Sequence, residues 1–377
     1  MRRALELAGR GRGAVEPNPM VGCVIVKEGR AIGEGWHEHF GQAHAEPNAL
    51  AACTESPQGA TVFVNLEPCC HAHKKTPPCV PRLIAAQVDR VVVGCLDPNP
   101  AVAGRGVAQL REAGIAVTLS TLEAQCRQLN APFFARQLLQ RPYVTLKWAE
   151  SADGKVGGPG GRRVQISNAH SMRVAHEQRS RCDAILIGIG TALNDDPMLT
   201  LRGIEPIRPL LRVVIDPSLR LPRSSRLAQT ARERPTVVYC NLMKRDEAGE
   251  DRADALRQLD VEVTALPDDA NGDIDLSILA ADLVKRNVTH LLVEGGPKTH
   301  ERFLRQRLAD RAWVFHSPMR IDAADAPSAV QLVDSFLQVA SVGLAGDRLV
   351  ENLNTESNVY FAPEASVDIA VARASSP

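Results

Sequence analysis

Over residues 1–120, short apolar runs closed by glycine or proline alternate with stretches of helical composition. VGCVIVKEG, ATVFVNLEP and RVVVGCLDP read as strands bounded by turn formers. AEPNALAAC and PPCVPRLIAAQ read as helices, each with proline near its first turn, where a missing N–H does no harm. This alternation predicts an α/β layer with a substantially parallel sheet. TLEAQCRQLNAPFFARQLLQ then predicts one helical stretch, stopped by Pro142.

A second alternating series starts at Tyr143. YVTLKWAES, DAILIGIG, LLRVVIDP, PTVVYCN, HLLVEGG and RAWVFHSP are its apolar runs, with helical segments between several of them. GGPGGRR reads as a surface loop and MKRDEAGEDRADAL as a solvated helix or loop. No internal repeat or long low-complexity segment interrupts the pattern. At 377 residues the chain exceeds one ordinary core. Two α/β domains, 1–141 and 142–377, are expected.

Hydrophobic residues make up 44% and charged residues 23%, the balance of a globular protein. Lys plus Arg equals Asp plus Glu at 44 each, and aromatics are 4%, which argues against nucleic-acid binding by a basic groove with stacking rings. No apolar run approaches a bilayer span, and no secretory segment opens the chain, so no membrane partner and a cytoplasmic location are expected. Nine cysteines, an odd number, argue against a disulfide framework. Cys23, Cys53, Cys95, Cys126, Cys182 and Cys240 lie in or beside apolar runs and read as small buried hydrophobes. Cys69, Cys70 and Cys79 are set among polar and turn residues instead.

Those cysteines complete a pattern. Hydrolysis of an amine by zinc needs three protein ligands, a water, and a carboxylate outside the ligand set to move protons. His44 and Glu46 of HAE, at one helix start, supply a ligand and a shuttle. Pro68-Cys69 and Pro78-Cys79 supply two thiolates, the second at another helix start, where thiolate is favoured. The zinc-deaminase signature is H-x-E followed by P-C-x-x-C. Here nine residues separate Cys69 from Cys79, and Cys70, His71 and His73 stand between them as further donors.

With PNPMVGCVIV, GEGWHEHFGQAHAE, LEPCCHAHKKTPPC, DPNPAVAGRG, LKWAESADGK, ILIGIGTALNDDPMLTLR and LLVEGGP in this order, the chain resembles the bifunctional riboflavin-biosynthesis pyrimidine deaminase–reductases. The resemblance covers essentially the whole chain. It implies a cytidine-deaminase-like three-layer domain followed by a dihydrofolate-reductase-like α/β domain. The first would hydrolyse the exocyclic amine of a diaminopyrimidinone ribosylamino phosphate, with His44, Cys69 and Cys79 on Zn²⁺ and Glu46 as shuttle. Asn18, His37, Lys75, Asp97 and Asn99 match its substrate contacts, although Asp97-Pro98-Asn99-Pro100 is also a good turn.

In the second domain the residues alone are less specific. GIGTAL fails the dinucleotide fingerprint, because Leu193 stands at its third small position. HLLVEGGPKTHERFL is a strand, two glycines and a helix, which could hold a cofactor phosphate or be a tight turn. The resemblance implies NADPH near Ala149, Thr191, Asp195 and Gly296. It places substrate near Lys147, Arg179, Leu199, Arg202 and Glu294, with Arg179 and Arg202 as phosphate partners. The family's Ser-x-Trp-Ile is here Arg163-Val164-Gln165-Ile166, without the flat ring. The expected partners are a phosphorylated pyrimidine and further copies of the chain. The rival expectation is an active deaminase carrying an inactive, scaffold-like reductase domain.

Overall fold

The computed structural model describes residues 1–71, 76–204, 208–241 and 247–360. Two sheets organise them. The first contains β1 (Gly22–Lys27), β2 (Arg30–Trp36), β3 (Thr61–Leu66), β4 (Arg90–Cys95) and β5 (Ala116–Thr118), in the order β2-β1-β3-β4-β5. β3, β4 and β5 are parallel, but β1 pairs antiparallel with both β2 and β3. The expected parallel sheet is therefore mixed.

β2 is hard to see in the sequence because RAIGEGW has glycine at two positions of one face. Those glycines admit the helix Ala45–Ala51. A Cβ on Gly33 would stand 2.4 Å from the Ala49 carbonyl oxygen, and one on Gly35 2.3 Å from the Ala49 nitrogen. Helix and strand thus approach backbone to backbone, which fixes the height of the helix that begins at His44.

The second sheet holds β6 (Tyr143–Glu150), β7 (Ala184–Gly188), β8 (Leu211–Ile215), β9 (Thr236–Asn241), β10 (Glu262–Leu266), β11 (His290–Val293), β12 (Arg311–His316), β13 (Phe336–Leu344) and β14 (Asp347–Asn354). Their order is β10-β9-β8-β7-β11-β6-β12-β14-β13. β6 to β12 are parallel, while β13 and β14 add an antiparallel edge. All six residues of β9 are buried, as a parallel strand covered on both faces requires. One face packs Leu146, Leu186, Val213 and Phe303, the other Ile185, Val214, Val238 and Leu256. Each such side chain contributes about 1.5–3 kcal/mol by leaving water.

Asn168 and Asp275 cap the helices Ala169–Arg179 and Leu276–Lys285 by accepting N–H bonds, each cap stabilising by about 1 kcal/mol. The predicted stretch 121–140 is two helices, Glu123–Leu129 and Ala131–Leu139, broken at Asn130. Pro132 causes the break, since it lacks an N–H and its ring crowds the preceding turn. Helix Ala131–Leu139 packs Phe134 and Ala135 with Leu66 and Cys95 of the first sheet and with Tyr143, Leu353, Val359 and Tyr360. The part of MKRDEAGEDRADAL within the described residues belongs to the helix Glu247–Arg257. Of the six cysteines read as hydrophobes, five are buried and Cys53 is half-buried.

Candidate active sites

His44 is the N-cap of the helix Ala45–Ala51, and Cys79 is the first residue of the helix Cys79–Ala85. Cys69 ends the turn that leaves β3. Together they bring His44 Nδ1 to 3.5 Å from each of the Cys69 and Cys79 sulfurs. All three donor atoms lie within 4.8 Å of one another. An imidazole nitrogen and two sulfurs at this spacing fit tetrahedral zinc with one position left over. The Cys79 backbone N–H also donates to Cys69 Sγ at 3.3 Å. Thr76 Oγ1 lies 3.1 Å from His44 Nε2, so the ring's second nitrogen is held and Nδ1 is left for a metal.

Glu46 is 2% exposed, and its Oε2 is 3.3 Å from Cys79 Sγ. Burial pushes its carboxyl pKa up, the Cys69 sulfur adds to this, and His44 opposes it. It opens into a cleft of about 410 Å³ whose lining includes Asn18, His37, Asp97 and Asn99. His37 Nδ1 lies 3.0 Å from the Ala43 carbonyl oxygen and so donates to it, which makes Nε2 the acceptor from Asn18 Nδ2 at 3.2 Å. Asp97 and Asn99 form the expected turn, each accepting an N–H bond from the residue two further on. Lys75 and His73 lie outside the described residues. His71 lines the cleft but stands outside the three-donor cluster.

Glu67 went unassigned in the sequence, yet it is 3% exposed and organises this wall. Its carboxylate accepts N–H bonds from Asp97, Gly104 and Val107, capping the helix Arg105–Glu112. Only the long-range fold brings those amides to it, so local sequence carries no signal for the role.

A second cluster lies at the carboxyl ends of β6 and β11. Their register pairs Leu146 with Val293, which puts Lys147 beside Glu294. Arg179, the last residue of the helix Ala169–Arg179, donates to both Glu294 oxygens at 2.8 and 2.6 Å and to the Thr200 carbonyl oxygen at 3.1 Å. This commitment differs from a free phosphate partner. Burial alone would raise the Glu294 pKa, but Arg179 and Lys147 outweigh it and bring it to about 2. Burial lowers the Lys147 pKa.

His176, also unassigned in the sequence, is buried with Nδ1 unpartnered, and its pKa is lowered by burial and by Arg179. Its position three residues before Arg179 on one helical face is a signal that sequence could have supplied. Leu199 is buried in the core at φ 49°, a strained conformation for this side chain. Arg202 is exposed, Ala149 half-buried, and the Asp195 carboxyl pKa is raised by burial.

The strand order reverses between β7 and β6, since β7 to β10 march outward and β11 returns between them. Crevices of this kind hold ligands at strand ends. Gly188 and Gly295 leave no room for a Cβ, which would meet the Thr299 side chain at 2.5 and 2.8 Å. Gly296 begins the helix Pro297–Arg305 beside Thr191. Close backbone and a helix start without a side-chain cap fit the phosphates of a dinucleotide.

Residues 1–95 match the model of the cytidine and deoxycytidylate deaminase zinc-binding region, and residues 142–347 match the RibD C-terminal domain. The riboflavin biosynthesis protein RibD of Aquifex aeolicus is 37% identical, covering 96% of this chain and 97% of that protein. The chain belongs to the RibD family. The RibD protein of Escherichia coli is 38% identical over 84% of this chain and 86% of its own. A Thermotoga maritima diaminohydroxyphosphoribosylaminopyrimidine deaminase/5-amino-6-(5-phosphoribosylamino)uracil reductase superposes with a TM-score of 0.79 at 33% identity, covering 94% of this chain and 97% of that one. Acinetobacter baumannii RibD gives 0.78 at 32%, covering 94% and 98%. As a RibD protein the chain is a bifunctional enzyme of riboflavin biosynthesis, a zinc-dependent deaminase and an NADPH-dependent reductase. No helix of the described residues is long and apolar enough to cross a membrane.

Proposed function

We propose that residues 1–141 deaminate a diaminopyrimidinone ribosylamino phosphate and that residues 142–377 reduce its ribosyl group to a ribityl chain. The convergence of His44, Cys69 and Cys79 beside the buried Glu46 carries the first half of this reading. Zinc bound by those three residues supplies Lewis acidity that makes water nucleophilic near neutral pH. Glu46, outside the ligand set, takes the proton of the attacking water and passes it to the departing exocyclic nitrogen, so that ammonia leaves. Asn18, fixed through His37, retains its Oδ1 acceptor for the pyrimidine edge, and Asp97 and Asn99 complete that wall. Lys75 is a further substrate contact.

In the second half NADPH supplies hydride when bound, near Ala149, Thr191, Asp195 and Gly296. Lys147 gives up its proton more readily than a free lysine and is the acid for the opening sugar. Glu294, held ionised by Arg179, orients Lys147 and the sugar hydroxyls. Arg202 meets the phosphate and Leu199 packs the substrate. This buried constellation favours an active reductase over a scaffold.

A cytoplasmic enzyme is the fitting setting for nine free thiols. Assembly as a homo-oligomer is supported by the edge strand β13, where Leu337, Val339 and Val342 are more than half exposed. Zinc content, ammonia release, and oxidation of NADPH against NADH by the purified chain test the whole reading. Stoichiometric zinc with both half-reactions is expected, and a metal-replete chain without ammonia release refutes the deaminase assignment.

A further inference from the structure

The turn that carries Asn18 into the deaminase cleft is fastened from the other half of the chain. Val15 to Asn18 form this turn, closed by the Asn18 N–H donating to the Val15 carbonyl oxygen at 2.9 Å. Pro17, Asn18 and Pro19 line the cleft, and Glu16, inside the turn, does not. Glu16 Oε1 accepts the Gly13 N–H at 3.0 Å, and its Oε2 lies 3.4 Å from Arg208 Nη1. Arg208 stands between Arg202 and β8, and its Nη2 pairs with Asp183, the residue before β7. Asp183 Oδ2 in turn accepts the Thr289 N–H and hydroxyl at 2.6 Å each and the His290 N–H at 2.9 Å. One guanidinium therefore joins the deaminase turn to the amino ends of β7 and β11, the end of the sheet opposite Lys147 and Glu294.

Charge makes this contact hard to give up. Glu16 Oε2 and Asp183 Oδ1 are both shut off from water and accept no aligned hydrogen bond, so the Arg208 charge compensates them. Among the described residues neither carboxylate forms another ion pair. Without Arg208, Glu16 regains solvation only by swinging out to water, and the turn that ends at Asn18 moves with it. His37 holds the Asn18 side chain from within the cleft, whereas Glu16 holds its backbone from outside. We propose that Arg208, although it belongs to the reductase half, is a positioning residue of the deaminase, fixing through Glu16 the turn that presents Asn18 to the pyrimidine. The proposal rests on the reading of Asn18 given above.

Deamination kinetics of the full chain test it, with zinc content and NADPH oxidation measured alongside. Glu16→Ala and Arg208→Ala, in different halves, are each expected to raise the deamination KM about 5- to 20-fold while kcat stays within about twofold. The double variant should lose no more than either single one, since both remove the same contact. Arg208→Lys, which keeps the charge, should recover part of the KM. Zinc should stay stoichiometric throughout, and Glu16→Ala should oxidise NADPH as the wild type does. Arg208→Ala also leaves Asp183 unpaired; if that variant does not fold, Glu16→Gln, which keeps an acceptor for Gly13 and loses the charge, decides by the same rise in KM. An unchanged KM in the Glu16 variants, losses that multiply in the double variant, or a fall in kcat alone overturns the Arg208 assignment and leaves the deaminase reading standing. A zinc-replete wild type that releases no ammonia overturns that reading, and the assignment with it.

Discussion

The two sites balance charge in opposite ways. In the first, His44, Cys69 and Cys79 turn electron-rich atoms toward one another beside a buried carboxylate, an arrangement that a divalent cation makes favourable. In the second, Arg179 and Lys147 already neutralise Glu294. Removing a group from the first site therefore disturbs metal and proton chemistry, whereas removing one from the second leaves a protein charge buried without its partner.

Glu46→Gln tests the contrast most severely. Zinc should be retained while deamination falls about 100- to 10,000-fold, and NADPH oxidation should not change. Metal analysis with both assays reads this, and a parallel loss of reduction would mean that the halves do not act separately. Glu294→Ala comes next. Breaking a buried pair costs about 3–5 kcal/mol, and with Arg179 18% exposed the lower end applies. Reduction should disappear, the melting temperature should fall, and ammonia release should persist below it.

Thr76→Val leaves His44 Nε2 without its oxygen partner and should weaken zinc binding about 10- to 100-fold in chelator competition. An unchanged affinity would show that the imidazole needs no such orientation. The smallest effect is in acid. Glu294 titrates at about 2 when folded, below the ordinary 4.5, so its ion pair stabilises fully above pH 4.5 and is lost as pH falls toward 2. Denaturant unfolding of Glu294→Gln should be flatter than wild type across that window.

The same contrast explains what the sequence disclosed. His44, Glu46, Cys69 and Cys79 stand in short turn-and-helix segments whose spacing is chemical, so the zinc site could be read locally. Lys147, Arg179 and Glu294 come from separate strand and helix ends, and the Arg179 pairing appears only once β6 and β11 lie side by side. β2 escaped because Gly33 and Gly35 answer to a helix packed above them, not to strand propensity. Asn130 breaks a predicted helix because Pro132 follows, a signal that was present locally. Glu67 takes its role from partners dozens of residues away.

Residues 353–360 carry one more implication. Leu353, Val359 and Tyr360 lie in the same apolar cluster as Leu66, Cys95 and Phe134, and Arg127 donates to the Asn358 carbonyl oxygen. On a ribosome, the amino-terminal half has therefore emerged long before the side chains that cover its base. Its last apolar surface is sealed only once residues 353–360 have been made, which ties the maturation of one catalyst to prior synthesis of the strands of the other.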